Sequence, residues 1–198
     1  MAIIVEHDKR KHEILQKSLD VFIDEGYEDA TFQKIADRCG ITRTTLYIYF
    51  SNKHEIFLGS IKELLKNLET TLSQIVNNES LTAEAALRSF FDCLIDQCQE
   101  NVKLFSVLLS YLIQIKKTGK DPNDRVRRRV IRVRHHMTTI IIRGIQDGEF
   151  KDLPIKDVNE MFYGLIEAAI FRLAVLNAAD ISDIKKSIDI AVDGILSH

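Results

Sequence analysis

The chain has 198 residues, 45% hydrophobic and 28% charged, with two prolines, eight glycines and a formal net charge of -2. This is the profile of a mostly helical globular protein of one or two domains. No apolar stretch reaches the ~18 residues a membrane span requires, because Glu167 and Arg172 interrupt the best candidate. The opening MAIIVEH is too short an apolar run for a signal peptide, so the chain is expected in the cytoplasm. The three cysteines, Cys39, Cys93 and Cys98, are odd in number and lack ligand-like spacing, which points to reduced thiols.

In chain order, residues 8–12 (DKRKH) form a charged leader. Its Lys9, Arg10 and Lys11 either touch a DNA backbone or are simply solvated. A first helix is expected over about residues 9–25, with Ile14, Leu15, Leu19, Phe22 and Ile23 as its apolar stripe and Gly26 as its stop. Thr31 is placed as the N-cap of a short second helix, in which Phe32, Ile35 and Ala36 share a face. Gly40 supplies the turn residue that takes positive φ without steric cost. Thr42 then caps a third helix, with Leu46, Tyr47 and Phe50 on one side and Arg43, Thr44, Thr45, Ile48 and Tyr49 on the other. Two short helices across a Gly turn form the helix-turn-helix pattern, whose second helix enters the major groove. Between residues 31 and 54 the bases Lys34, Arg38, Arg43 and Lys53 face a single acid, Asp37. A local positive excess matters more for DNA affinity than the global charge.

The residues ILQKSLDVFIDEGY, followed by T-x-x-x-I-A, C-G-I-T, T-L-Y-x-Y-F and S-N-K, resemble the N-terminal domain of TetR-type transcriptional regulators over about residues 14–57. Cys39 and Thr44 stand where that family usually has smaller residues, and Ile48 where it is more often polar. These departures leave the base sequence read by the helix open. The resemblance implies an all-α fold of about nine helices: a three-helix DNA-binding domain at 1–52 and a ligand-binding, dimerising bundle at 53–198, linked by a helix over 53–76. It also implies that Lys53 and the Tyr47 hydroxyl hold phosphates, with Thr31 and Thr42 fixing register on the backbone. Arg43 is then expected on a base, preferably guanine, and Ile48 against a thymine methyl. Thr44, Thr45 and Tyr49 are assigned to bases or adjacent phosphates.

Five further helices are expected at about 82–99, 101–117, 123–147, 155–177 and 181–197, with Pro122 and Pro154 in turns or first helical turns. The segment GIQDGEF at 144–150 also resembles the closure of that family's long central helix. Between Met161 and Leu176 the chain is apolar nearly all round, so a helix there needs cover on every side. Gly164, Ala168 and Ala169 permit close approach of another helix. With the stripe Ile181, Ile184, Ile188, Val192 and Ile195 this suggests half of a four-helix homodimer interface, as in the resembled family. Cover of a monomeric core is the alternative. Glu167 and Arg172, inside the apolar segment, must be paired, at the surface or facing a cavity.

In TetR-type proteins the corresponding helices enclose an effector pocket. Phe90, Phe105, Leu109, Tyr111, Met137, Phe162, Tyr163 and Glu167 are the candidate lining here, and ordinary core packing explains each apolar one equally well. Tyr111 and Tyr163 stand out because buried phenols need partners. The run DRVRRRVIRVRHH at 124–136 is either a second nucleic-acid or anion site, or a solvated basic face. Adjacent His135 and His136 cannot share one metal on a helix, no H-E-x-x-H occurs, and no catalytic spacing stands out. No cofactor or metal is expected.

The expectation is a homodimeric DNA-binding regulator on a palindromic operator, most simply a repressor released by a small molecule. Two alternatives stand: a constitutive or architectural DNA-binding protein of this fold, and a small helical enzyme or carrier with an incidental helix-turn-helix.

Overall fold

A computed structural model describes residues 2–117, 123–178 and 180–197, without the side chains of residues 2–5, 64, 123–127, 129 and 130. Among these residues the chain is helical: α1 (Ala2–Asp29), α2 (Phe32–Cys39), α3 (Arg43–Tyr49), α4 (Lys53–Val76), α5 (Ala83–Glu100), α6 (Val102–Lys117), α7 (Asn123–Gln146), α8 (Ile155–Ala174) and α9 (Ser182–Ile195). The first helix thus begins earlier than expected and takes in the whole charged leader. Gly26 breaks that helix as expected, with φ 79 and ψ 168, values that a side chain would oppose.

Two compact units divide the chain at Glu69 and Thr70, inside α4. The boundary lies beyond the expected residue 52, because the first turns of α4 belong to the core of the first unit. There Ile56 and Phe57 are fully buried, Phe57 meets Phe22 edge-on at 4.9 Å, and the Ser60 hydroxyl donates to the Leu15 carbonyl at 2.7 Å. Burying such a side chain contributes about 1.5–3 kcal/mol.

The second unit has its core among α5, α7, α8 and α9. Phe90 and Phe91 pack edge-to-face at 5.6 Å, Phe91 stacks on Phe162 at 4.9 Å, and Met137, Ile140 and Ile141 close the layer from α7. On its rim Arg88 of α5 bonds Glu84 within its own helix and Asp189 and Asp193 of α9, at 2.9, 2.9 and 2.5 Å. The segment 144–150 locks the ends of three helices together. Gly148 takes φ 76, and the Phe150 amide returns to the Gly144 carbonyl at 2.9 Å. The two oxygens of Glu149 accept the amides of Ala83 and Glu84 at 2.9 and 3.0 Å. A carboxylate therefore occupies the N-terminus of α5, where the helix dipole favours it.

Gly144 lies so close to Phe150 that a Cβ there would sit 2.2 Å from the ring. Phe150 is 3% exposed and has little room to retreat. Gly144→Ala should therefore lower unfolding stability by ~1–3 kcal/mol through overpacking, read as a lower urea midpoint at unchanged slope.

Two expectations about the C-terminal helices need correction. The apolar run that suggested a helix to residue 177 leaves the helix after Ala174. Asn177 takes φ 51, and the Ala178 amide bonds the Arg172 carbonyl at 3.0 Å, so Asn177 is the left-handed stop. The stripe Ile181, Ile184, Ile188, Val192 and Ile195 is 0–5% exposed within the single chain, so its own core covers it and it offers no face to a partner.

Candidate functional site

Local rules build the helix-turn-helix. The Thr31 hydroxyl accepts the Lys34 amide at 3.2 Å and starts α2. At its end Gly40 adopts φ 67, ψ 35, with the Gly40 amide on the Asp37 carbonyl at 3.1 Å and the Ile41 amide on that of Ala36 at 3.0 Å. The chain then turns into α3, where the Thr42 hydroxyl accepts the Thr45 amide at 3.1 Å and also bonds the Thr45 hydroxyl at 2.8 Å. Leu46 at 0% and Phe50 at 2% exposure anchor α3 to its unit.

The outer face of α3 then consists of two ladders, each one helical turn apart. Arg43 lies over Tyr47, its guanidinium carbon 5.6 Å from the ring centre and its Nη2 donating to the phenol oxygen at 3.2 Å. Tyr47 in turn stacks on Phe32 at 4.5 Å. Beside them Thr44 and Ile48 project into solvent, Ile48 at 69% exposure. An isoleucine this exposed on a seven-residue helix has no packing role in the chain itself.

The structure separates the remaining sequence candidates. Thr45 is part-buried and its hydroxyl is engaged with the cap, while the Tyr49 ring stacks on His7 of α1 at 4.8 Å. Lys53, in the first turn of α4, donates to the Glu28 carbonyl at 2.8 Å and sits 4.7 Å above the Tyr27 ring. Two of its three N–H bonds remain for another acceptor. Asn52 caps this helix by accepting the Glu55 amide at 2.9 Å, and Glu55 accepts the Ser51 amide at 2.9 Å.

The local positive excess is smaller than the sequence window suggested. Lys34 pairs with Glu25 at 2.7 Å, and Arg38 pairs with Asp24 at 2.9 Å and Asp20 at 3.9 Å. These acids lie on α1, outside the window that was counted. Among the described residues, Arg43 and Lys53 are the bases of that window without an acidic side-chain partner. The sequence reading missed His7 and Tyr27, since partners so distant in sequence leave no local signal.

A paired cap, glycine turn and exposed second helix match a known pattern, that of the bacterial regulatory proteins of the tetR family, over residues 14–59. Over those residues the chain is similar to the TetR family. It is 33% identical over 88 residues to the HTH-type transcriptional activator FasR of Mycolicibacterium smegmatis, a match covering 43% of this chain and 40% of FasR. A TetR transcription regulator from Haloarcula marismortui superposes with a TM-score of 0.85 at 24% identity, covering 96% of this chain and all of that one. FadR from Bacillus subtilis, solved with stearoyl-CoA, superposes with a TM-score of 0.67 at 19% identity, covering 93% of this chain and 97% of FadR. The matched family and these relatives carry the names of regulators of transcription and not of enzymes.

In the second unit, Phe90, Met137 and Phe162 are 0% exposed and belong to the packed core, and Tyr111 is 3% exposed. Phe105 and Leu109 on α6 are half-buried. Tyr163 is also half-buried, with the Arg134 guanidinium 5.0 Å from its ring centre. Burial, with the Glu167 carboxylate nearby, holds its phenol above the ordinary tyrosine range. Glu167 itself is exposed on α8, and Arg172 is paired with Asp183.

Arg134, from the arginine-rich run, is engaged within the fold. Its Nε donates to Asn159 at 3.1 Å and its Nη2 to Glu160. Arg128 and Arg132 are exposed, whereas the side chains of Arg125 and Arg129 lie outside the described residues, as does Pro122. Burial pushes the thiols of Cys39 and Cys93 upward and that of Cys98 to about 12, so all three stay protonated near neutral pH. No helix among the described residues is long and apolar enough to cross a membrane.

Proposed function

We propose that this chain acts as a homodimer that reads a palindromic operator with α3, and that a small molecule bound in its body releases it as a repressor. The observation that carries the DNA reading is the outer face of α3, where Arg43, Thr44, Tyr47 and Ile48 project together and Ile48 is 69% exposed. Guanidinium, hydroxyl and methyl groups in one row are the means of reading guanine edges and thymine methyls in the major groove. Thr31, Thr42, Thr45, Tyr49 and Lys53 flank that row and serve the backbone and register.

The homodimer is supported by what α8 leaves uncovered. Met161, Gly164, Phe171 and Val175 are exposed at helical spacing, followed by Leu176 at 61% and, on α9, Ile190 at 70%. A helix-turn-helix protein paired about a two-fold axis presents two reading helices to half-sites one or more ~10 bp turns apart.

The effector reading is supported by the likeness to FadR, solved with stearoyl-CoA, and by the half-buried apolar Phe105 and Leu109. An effector that prefers one arrangement of the reading heads must alter DNA affinity by linkage. A constitutive DNA-binding protein remains the second reading, favoured by the complete burial of Phe90, Met137 and Phe162 among their own neighbours.

Selecting bound duplexes from a random pool tests the first proposition, and an inverted repeat is the expected result. Enrichment of no motif, with equal affinity for all duplexes, would reject it. Titrating candidate effectors against operator affinity then separates release from constitutive binding. Lys53→Ala should weaken binding to every duplex alike and reduce the salt slope by about 1. An unchanged slope in salt titrations would mean that Lys53 serves only Glu28 and Tyr27.

A further inference from the structure

Arg143 stands three residues before the C-terminal end of α7. Its Nη1 donates to the carbonyl oxygen of Val76, the last residue of α4, at 3.3 Å. Its Nε and Nη2 are buried, and among the described residues they have no hydrogen-bond partner. Those two atoms form the side edge of the guanidinium, the edge that takes both oxygens of a carboxylate or two of a phosphate. Arginine does not escape by deprotonation. A charged donor pair withdrawn from water and left unmade is strongly unfavourable, and an anion bound to that edge relieves the penalty. The neighbouring acids do not supply it: both oxygens of Glu149 are taken by the amides of Ala83 and Glu84, and Asp147 is exposed.

We propose that the Nε–Nη2 edge of Arg143 is an anion seat in the body, which receives the carboxylate or phosphate group of the effector. The inference rests on the effector reading above and gives the effector a charge. Solvent reaches neither atom, and the third nitrogen of the same guanidinium, Nη1, holds the carbonyl of Val76. That grip fixes the C-terminal end of the helix whose first turn carries Lys53.

The test measures ligand binding to the full chain without DNA, from the rise of Tm with ligand concentration. The probes are dodecanoate, which offers a carboxylate, dodecanoyl-CoA, which offers phosphates, and dodecanol, which offers the same tail uncharged. At least one of the two anions should raise Tm well beyond dodecanol, and the one that does identifies the headgroup. Arg143→Gln should weaken that anion by about tenfold or more, the loss of one charge-assisted pair, and leave dodecanol unchanged. Should Arg143→Gln fail to fold by circular dichroism, Arg143→Lys decides, since it keeps the cation and loses the fork: a tenfold loss supports the seat. Equal anion affinity in wild type and variant, or no preference for either anion over dodecanol, overturns it. The outcomes for the two readings are separable. An anion that binds through Arg143 without changing operator affinity sinks the effector reading and leaves the seat standing.

Discussion

Arg43→Ala is expected to lower affinity for the selected operator by ~1–3 kcal/mol and to blur preference at one base position while sparing the others. Arg43 follows the Thr42 cap directly, at the end of the helix that leads into the groove in this motif. It is not a loose side chain. The Tyr47 hydroxyl accepts one of its N–H groups at 3.2 Å, and the Tyr47 ring lies beneath its guanidinium at 5.6 Å. Arginine has five N–H donors, so the remaining ones can face a guanine edge from a position already held. Part of the entropy of ordering that side chain is lost before DNA arrives, and the contact is stronger for it. Tyr47→Phe supplies the control: it removes the oxygen that Arg43 bonds but keeps the ring and its stack on Phe32. It should weaken the operator less than Arg43→Ala and leave the preferred base in place. Selection of bound sequences with each variant reads both outcomes. A uniform loss across all duplexes for Arg43→Ala would move Arg43 from base reading to the phosphate backbone.

The reading head was legible in the sequence because its signals are local. Thr31 and Thr42 each stand three residues before the amide they cap, and Gly40 marks a left-handed turn that few other residues adopt. The body was legible as helices but not as surfaces. Periodicity in α9 told that a face is buried, and only the packing of the chain told that its own core buries it. The apolar run through Leu176 hid the stop at Asn177, since the left-handed preference of asparagine is weaker than that of glycine. Charge misled where partners are remote. Lys34 and Arg38 meet acids of α1, and Glu149 caps a helix that begins 66 residues earlier. Arg143 looks like the last member of a basic helix until its Nε and Nη2 are found buried.

Phe171→Glu is expected to break the proposed homodimer and, with it, tight binding to a two-site operator. Phe171 is 52% exposed in the single chain and lies on the α8 row with Met161, Gly164 and Val175, so the monomer has little use for its ring. The substitution should leave the helical signal intact and change the monomer's stability by less than about 0.5 kcal/mol, as at other surface sites. Across a two-fold axis each change appears twice. Loss of an aromatic anchor from the centre of an interface removes about 2 kcal/mol or more per copy. Two copies then weaken the dimer by roughly a thousandfold, at 1.4 kcal/mol per tenfold. The buried carboxylates, facing apolar surface, add to that loss. Sedimentation should show monomers at concentrations where the unmodified chain is paired. Operator binding should become weak and its salt slope shallower, since one reading head makes about half of the phosphate contacts that two make. If Phe171→Glu sediments as a dimer and holds the operator normally, the exposed row of α8 is not the pairing surface. The palindromic reading would then need two heads joined by some other face.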